Sequence, residues 1–242
     1  MAVAVIQARM GSTRLPGKVL RPLGPRSTLS WVLRAAAESE AFATIVVATT
    51  TEPDDDAIAD AVAADPVDAQ VVRGPVDDVL ARYCMAVDEH PDDTVVRLTA
   101  DCPLLDPSVI AAAVAAFEAD DVDYLSTIDP RTLPRGLDVE VLSANALREA
   151  DRDATGTDRV HVTPFVREHP DRFRSASLTF EPPADDLRVT LDTAEDAALL
   201  DAVVAELGDR PPPWRDVVAL LRARPDLVTL NAGVRQKSPD EG

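Results

Sequence analysis

Short apolar runs rich in β-branched residues alternate along the chain with stretches whose apolar residues recur every three to four positions. The first pattern predicts buried strands over 1–6, 44–49, 70–73, 94–99, 123–127, 137–142 and 188–192. The second predicts helices between them. Leu29, Val32, Leu33 and Ala36 share one helical face, with Ser27 or Thr28 as N-cap. Asp54, Asp55 and Asp56 favour a helix start, where the dipole stabilises negative charge. Further helices are expected over 76–89, 107–119 (opened by Asp106-Pro107), after Ser143, over 159–168, from the Thr193 cap to 207, and over 213–222. Strands alternating with helices give an α/β fold: a Rossmann-like, mostly parallel sheet with helices on both faces. One domain is expected over 1–232. Segment 128–179 breaks the alternation and is read as a substrate-pocket or oligomer-contact insertion. The polar residues 233–242 read as a disordered tail.

The richest chemistry follows the first strand. Between Ala8 and Lys18 lie two glycines, Ser12, Thr13, Arg9, Arg14 and Lys18. Glycine lets backbone approach a ligand closely, successive N–H groups cradle an anion, and Arg and Lys add fixed positive charge. A strand running into such a loop is a phosphate-binding arrangement. Composition sharpens this. Asp and Glu number 43 against 24 Lys and Arg, for a net charge of −19. The only lysines are Lys18, inside the loop, and Lys237 near the end. The acidity excludes duplex nucleic acid as a partner. With aromatics at 4%, Val, Leu, Ile and Ala must fill the core. Cys84 and Cys102 have neither metal-type spacing nor the density of a disulfide scaffold, which fits a reducing cytoplasm. No run is long enough to span a bilayer, and the first is too short for a signal peptide.

Ligands of open α/β sheets bind beyond the carboxyl ends of the strands. Asp101 and Asp192 both follow predicted strands, as the loop does. Two carboxylates beside a phosphate loop suit Mg²⁺, which takes one or two carboxylates plus phosphate oxygens and water. Taken singly, Asp192 is equally a helix cap and Asp101 a turn residue. Asp138 and Glu140 share a strand face and suggest sugar-hydroxyl contacts, or else a solvated edge. Arg135 and Arg159 are candidates to receive a substrate carboxylate bidentately. His161 reads as a structural or interface residue, or as a sugar contact. Cys102 has no basic partner in sight and reads as a small buried residue.

The loop Ala8-Arg9-x-Gly11-Ser12-x-Arg14-Leu15-Pro16-Gly17-Lys18 closely resembles the signature of cytidylyltransferases that activate acidic sugars, the Kdo and acylneuraminate enzymes among them. Arg97 to Leu104 resembles that family's central Asp-x-Pro turn, and Arg188 to Asp196 its late Asp-Thr-x-Glu-Asp segment. Arg73-Gly74-x-x-Asp77-Asp78-Val79-Leu80, Gly136 to Val141 and His161-Val162-Thr163-Pro164-Phe165 narrow the likeness to the branch of spore-coat polysaccharide biosynthesis. The resemblance covers roughly 1–205. It implies a nucleotide-diphospho-sugar transferase type of fold, CTP and an acidic sugar as substrates, Mg²⁺ on Asp101 and Asp192, and a homodimer. Arg9, Ser12, Arg14 and Lys18 would hold the β- and γ-phosphates with the amides near Gly11 and Ser12, and Ala8 would lie against the nucleotide. Arg9, Lys18 and Asp101 would carry the catalysis. Thr49, Thr50, Arg73 and Asp78 would lie near cytosine and ribose. Gln7 stands where the Kdo enzymes have Pro, which leaves the sugar open. Another base or a neutral sugar, a glycosyltransferase using a finished nucleotide sugar, and a non-catalytic sensor remain as alternatives.

Abundant Asp and scarce Lys suggest salt adaptation, because at about 1 M salt the Debye length is only ~3 Å and self-repulsion is screened. The thermal unfolding midpoint is expected to be higher in molar KCl than in dilute buffer. Equal midpoints would remove the idea.

Overall fold

Alternate residues of the first strand face two different cores. The structure, a computed structural model, describes residues 2–89 and 94–236. In β1 (Ala2–Gln7), Ala2, Ala4 and Ile6 pack into one core, and Val3 and Val5 into the other. A two-residue hairpin, β2 (Pro22–Leu23) and β3 (Arg26–Ser27), leads into α1 (Thr28–Glu38). Then come β4 (Phe42–Thr50), α2 (Asp56–Ala64), β5 (Gln70–Gly74), α3 (Val79–Glu89), β6 (Thr94–Thr99) and α4 (Pro107–Ala119). The chain continues through β7 (Tyr124–Ser126), β8 (Glu140–Ser143), α5 (Ala144–Asp153), α6 (Thr157–His161), α7 (Pro164–Glu168) and β9 (Ser175–Ser177). It closes with α8 (Ala194–Leu207), α9 (Trp214–Ala223) and α10 (Pro225–Val228).

The main sheet runs β5-β4-β1-β6-β8-β7-β9. β5, β4, β1 and β6 are parallel, β8 is antiparallel to both neighbours, and β9 is parallel to β7. Apolar residues of α1, α2, α4, α8 and α9 cover one face; those of α3, α5 and α7 cover the other. This is the mixed, mostly parallel Rossmann-like sheet that the alternation predicts.

Local chemistry explains the boundaries. The Ser27 hydroxyl caps α1 by accepting from the Ser30 amide at 3.1 Å. Asp106 caps α4 at Ser108 N, 2.7 Å, and its other oxygen accepts from Trp214 N at 2.8 Å, which pins α9 to α4. Among the described residues no helix is long and apolar enough to cross a membrane.

Three expectations are corrected. The helix expected over 76–89 begins only at Val79, with the Asp78 carboxylate accepting from Ala81 N at 2.9 Å. The helix expected over 159–168 is two helices broken at Val162, whose φ is 74°. The strand expected over 188–192 is reduced to a single bridge between Arg135 and Arg188, because the amides of Asp192 and Thr193 turn to the Asp196 carboxylate of α8. The hairpin β2–β3 and strand β9 carry too few residues for a periodic signal. Of the tail expected over 233–242, residues 237–242 lie outside the described residues. The preceding part is in contact with the fold: Arg188 Nη1 donates to Gln236 Oε1 at 2.7 Å, and Arg14 Nη1 to the Arg235 carbonyl at 3.4 Å.

Gly136 marks the tightest backbone approach. Its φ is +107°, and a Cβ there would meet Thr190 N at 2.5 Å. Gly136→Ala is expected to lower unfolding stability by at least about 2 kcal/mol, combining backbone strain with overpacking. Urea titration checks this; an unchanged midpoint would refute the close approach.

Candidate active site

Three neighbouring parallel strands deliver the site to one edge of the sheet. β1 releases the loop from Ala8 to Lys18, β4 ends at Thr50, and β6 ends just before Asp101. The loop is anchored at both ends: Ala8 N donates to the Ala48 carbonyl at 3.1 Å, and Gly17 N to the Met10 carbonyl at 3.0 Å. Gly17 adopts φ 70°, which turns the chain into the short 3₁₀ turn Lys18–Leu20. The middle is tied by Asp55. This buried carboxylate accepts from Met10 N at 2.6 Å with one oxygen and from the Thr50 hydroxyl with the other.

Lys18 lies at the centre. Its Nζ is 2.6 Å from Asp101 Oδ2 and 2.6 Å from Asp192 Oδ1. The other oxygen of Asp192 takes Arg14 Nη2 at 3.1 Å and Arg188 Nη2 at 3.0 Å. Burial pulls the Lys18 ammonium toward deprotonation, but the two carboxylates outweigh it and hold its pKa above the ordinary value. Burial raises the Asp192 pKa, yet Lys18, Arg14 and Arg188 bring it below the usual 3.8. Asp196, wholly buried, holds Arg188 from behind at 2.9 Å and receives Asn231 Nδ2 at 2.8 Å. Leu191 N donates to the Asp101 carbonyl at 2.8 Å, so the segments carrying the two aspartates are joined through backbone as well.

Two carboxylate oxygens converging on one positive charge form a donor set that fits a small hard cation. Among the described residues no three or more His, Cys, Asp or Glu form a metal-holding group. A cation on Asp101 and Asp192 would therefore complete its shell with phosphate oxygens and water, as Mg²⁺ does.

Two cavities flank the loop. One is lined by Lys18, Asp101, Asp192, Ser12, Arg14 and, from the opposite wall, His161. The other is lined by Thr50, Thr51, Glu52, Pro75 and Asp78 among others. Arg9 and Gly11 line both. Arg9 is exposed, and no carboxylate lies within ion-pair distance of it among the described residues. Ser12 N is already bonded to the Met10 carbonyl at 3.0 Å, so of the two amides expected to face phosphate only that of Gly11 is without an internal acceptor.

Several expected contacts are otherwise engaged. Thr49 is 0% exposed, lines neither cavity, and its hydroxyl has no hydrogen-bond partner. Arg73 donates to the carbonyls of Thr50 and Glu52 at 2.8 and 3.0 Å, so it shapes the wall of the second cavity through backbone. Asp78 and Arg159, read from sequence as nucleotide and sugar contacts, bind each other at 2.7 Å, and Arg159 also binds Asp151 at 2.6 Å. Asp138 is paired bidentately with Arg131.

Glu140 does not face sugar. Its carboxylate is buried against Arg97, the Tyr124 hydroxyl at 2.6 Å and the Thr163 hydroxyl at 2.6 Å. Asp138 precedes β8 in irregular backbone, so the two acids do not form the pair that strand alternation suggested. Arg135 is the exception among the proposed sugar contacts. It is half-buried, and no carboxylate lies within ion-pair distance of its guanidinium among the described residues. Burial lowers its pKa, and the neighbouring Arg131 and Arg188 lower it further while Asp138 opposes them. His161 ends α6, and the strained Val162 turns the chain away directly after it, with Thr163 N donating to the His161 carbonyl at 2.9 Å. Cys102 is buried, its thiol pushed well up by burial and by Asp101, consistent with a packing role.

Sequence reasoning missed Asp55, Asp196 and Asn231. Asp196 was visible in part, as the fourth residue of a Thr-x-x-Asp capping box. Asp55 looked like one of three helix-start acids. Nothing local marks Asn231.

A family model for cytidylyltransferases matches residues 3–205. The spore coat polysaccharide biosynthesis protein SpsF of Bacillus subtilis is 33% identical over 236 residues, covering 93% of this chain and 95% of its own. The 3-deoxy-manno-octulosonate cytidylyltransferase of Synechococcus elongatus is 32% identical over 127 residues, 52% of this chain and 50% of its own. The solved structure of a cytidylyltransferase from Leptospira borgpetersenii superposes with a TM-score of 0.90 at 29% identity, covering 98% of this chain and 99% of that one.

The Glu140 cluster makes a pH prediction. Burial raises its pKa, but Arg97 and the two hydroxyls win, so the folded value lies below the ordinary 4.5. A depressed carboxylate contributes stability that is present above the unfolded value and lost as pH falls through the folded one. Glu140→Gln leaves Arg97 buried without its counter-charge and is expected to cost roughly 3 kcal/mol at pH 7. The gap to the native protein should narrow below pH 4.5, the ordinary value of this group. A gap independent of pH would show that the charge does not matter.

Proposed function

The chain belongs to the cytidylyltransferase family and is a nucleotidyltransferase, and from that premise we propose that it transfers CMP from CTP to an acidic sugar, releasing pyrophosphate, in the synthesis of a surface polysaccharide or glycoprotein glycan. The observation that carries this reading is the convergence of Asp101, Asp192 and the basic loop on Lys18. A triphosphate needs concentrated positive charge, and the loop brings Arg9, Arg14 and Lys18 to the lining of one cavity. Arg9 and the Gly11 amide line both cavities, so a nucleotide spanning them passes directly over these donors. Arg14 and Lys18 face the first cavity, where charge develops as pyrophosphate departs; fixed donors in a water-poor site act most strongly there.

Asp101 and Asp192 would hold Mg²⁺, which would supply neutralisation of the phosphates and a lowered pKa for the attacking hydroxyl. The anomeric hydroxyl of the sugar attacks the α-phosphorus in line, and the α–β bridging bond breaks with its electrons leaving on pyrophosphate. Arg135 supports an acidic rather than neutral sugar. A half-buried guanidinium without a carboxylate, flanked by two like charges, is stabilised by an incoming anion. His161, which lines the first cavity together with Lys18, Asp101 and Asp192, is a further group offered to the sugar.

Pyrophosphate release should be measured in high KCl with Mg²⁺, crossing the four nucleoside triphosphates with acidic and neutral sugars. Release is expected only with CTP and an acidic sugar, and Asp101→Ala is expected to lose about a hundredfold or more. Arg135→Gln should raise the sugar KM about tenfold while leaving the KM for CTP in place. Turnover with neutral sugars, or with another nucleotide, would overturn the substrate assignment.

A further inference from the structure

A phosphate-loop lysine is expected to reach for phosphate, yet Lys18 points at two acids. Its Nζ lies 2.6 Å from an oxygen of Asp101 and 2.6 Å from an oxygen of Asp192, with 12% of the side chain exposed. The ammonium is what lets the two carboxylates stand together in a partly buried place, since an uncompensated charge there is costly. The same two oxygens are the donor set for the divalent cation in the reading above. Mg²⁺ binds carboxylate oxygens at about 2.0–2.1 Å. A cation satisfying both oxygens therefore competes with the ammonium for the same two acceptors.

The displaced group has somewhere to go. Lys18 is rooted in the loop that presents Arg9, Gly11 and Ser12, directly after Gly17 at φ 70°. Its four-carbon stem is flexible, and ammonium is a point charge that needs no fixed plane. Arg14 differs. It binds the other oxygen of Asp192, shared with Arg188, and does not stand between the two acids.

We infer that Lys18 and the divalent cation exchange places: the ammonium neutralises Asp101 and Asp192 in the metal-free enzyme and is released to the triphosphate when the metal enters. This rests on the metal and triphosphate assignments above and adds an order to them. Lys18 contributes to nucleotide binding only after the metal has taken its acids. Metal and triphosphate are then coupled through one side chain of the protein, in addition to any direct bond between them.

The test uses binding alone, with Mn²⁺ as probe and CTP without sugar, so that nothing turns over. Mn²⁺ affinity is read by electron paramagnetic resonance and CTP affinity by calorimetry. Without nucleotide, Lys18→Met is expected to bind Mn²⁺ about tenfold more tightly than the native chain, whereas Arg14→Met, which removes the same charge, gains about threefold at most. With saturating Mn²⁺, Lys18→Met should bind CTP about tenfold more weakly; with chelator present, the two should agree within about twofold. Lys18→Gln repeats the comparison should the methionine variant fail to fold. Equal gains in Mn²⁺ affinity for the Lys18 and Arg14 variants, or an equal loss of CTP affinity with and without metal, would overturn the exchange while leaving the cation site intact. Mn²⁺ binding that is indifferent to Asp101→Ala would overturn the cation site and the exchange with it.

Discussion

The molecule depends on one constraint, the placement of β1 between two parallel neighbours. Each of its six residues is paired with β4 on one side and β6 on the other. The three strands therefore end together, and their following loops leave the same edge of the sheet. That is why a basic loop from the start of the chain meets an aspartate that follows β6. Asp192 arrives from much later in the sequence, and a backbone hydrogen bond from Leu191 to Asp101 seats it. The convergence is a property of strand order before it is a property of any side chain.

Charge is managed in two ways. Over most of the surface, acids are matched by arginines in bidentate or paired contacts, such as Arg222 with Asp186 and Arg21 with Asp201. At the sheet edge the match is deliberately incomplete. Arg9 and Arg135 have no carboxylate at hand among the described residues, and Lys18 holds two at once. In a strongly acidic protein, such residual positive charge defines where an anion is welcome.

Much of this was legible in the sequence. Apolar periods predicted β1, β4, β5 and β6 and the helices between them, because β1, β6 and the second half of β4 are largely buried on both faces and read as continuous runs, whereas β5, at the sheet edge and partly exposed, is marked by little more than Val71-Val72. The loop and its two aspartates were also found, since glycine, arginine and Asp-x-Pro signals are local. Failures cluster where long-range partners decide. Segment 188–192 has a strand's composition, but its amides go to scattered acceptors: Val189 to the Arg135 carbonyl, Leu191 to the Asp101 carbonyl and Asp192 to the Asp196 carboxylate. Val162 looks like a helix residue until the turn that packs Thr163 against Glu140 forces positive φ. Glu140 and Arg97 are adjacent in the β6–β8 register, which no local pattern shows because 43 residues separate them. Arg159 and Asp78 could be recognised as polar and functional in appearance, yet their engagement with each other is a tertiary fact.

The end of the chain adds a practical consequence. Asn231 donates to Asp196, Gln236 accepts from Arg188, and the Arg235 carbonyl accepts from Arg14. All three contacts lead within one step to Asp192 or to the phosphate loop. Trimming the chain back to α10 would therefore strip a brace from Asp196 and Arg188, so the stretch after α10 up to Gln236 is part of the scaffold behind Asp192 and no dispensable extension.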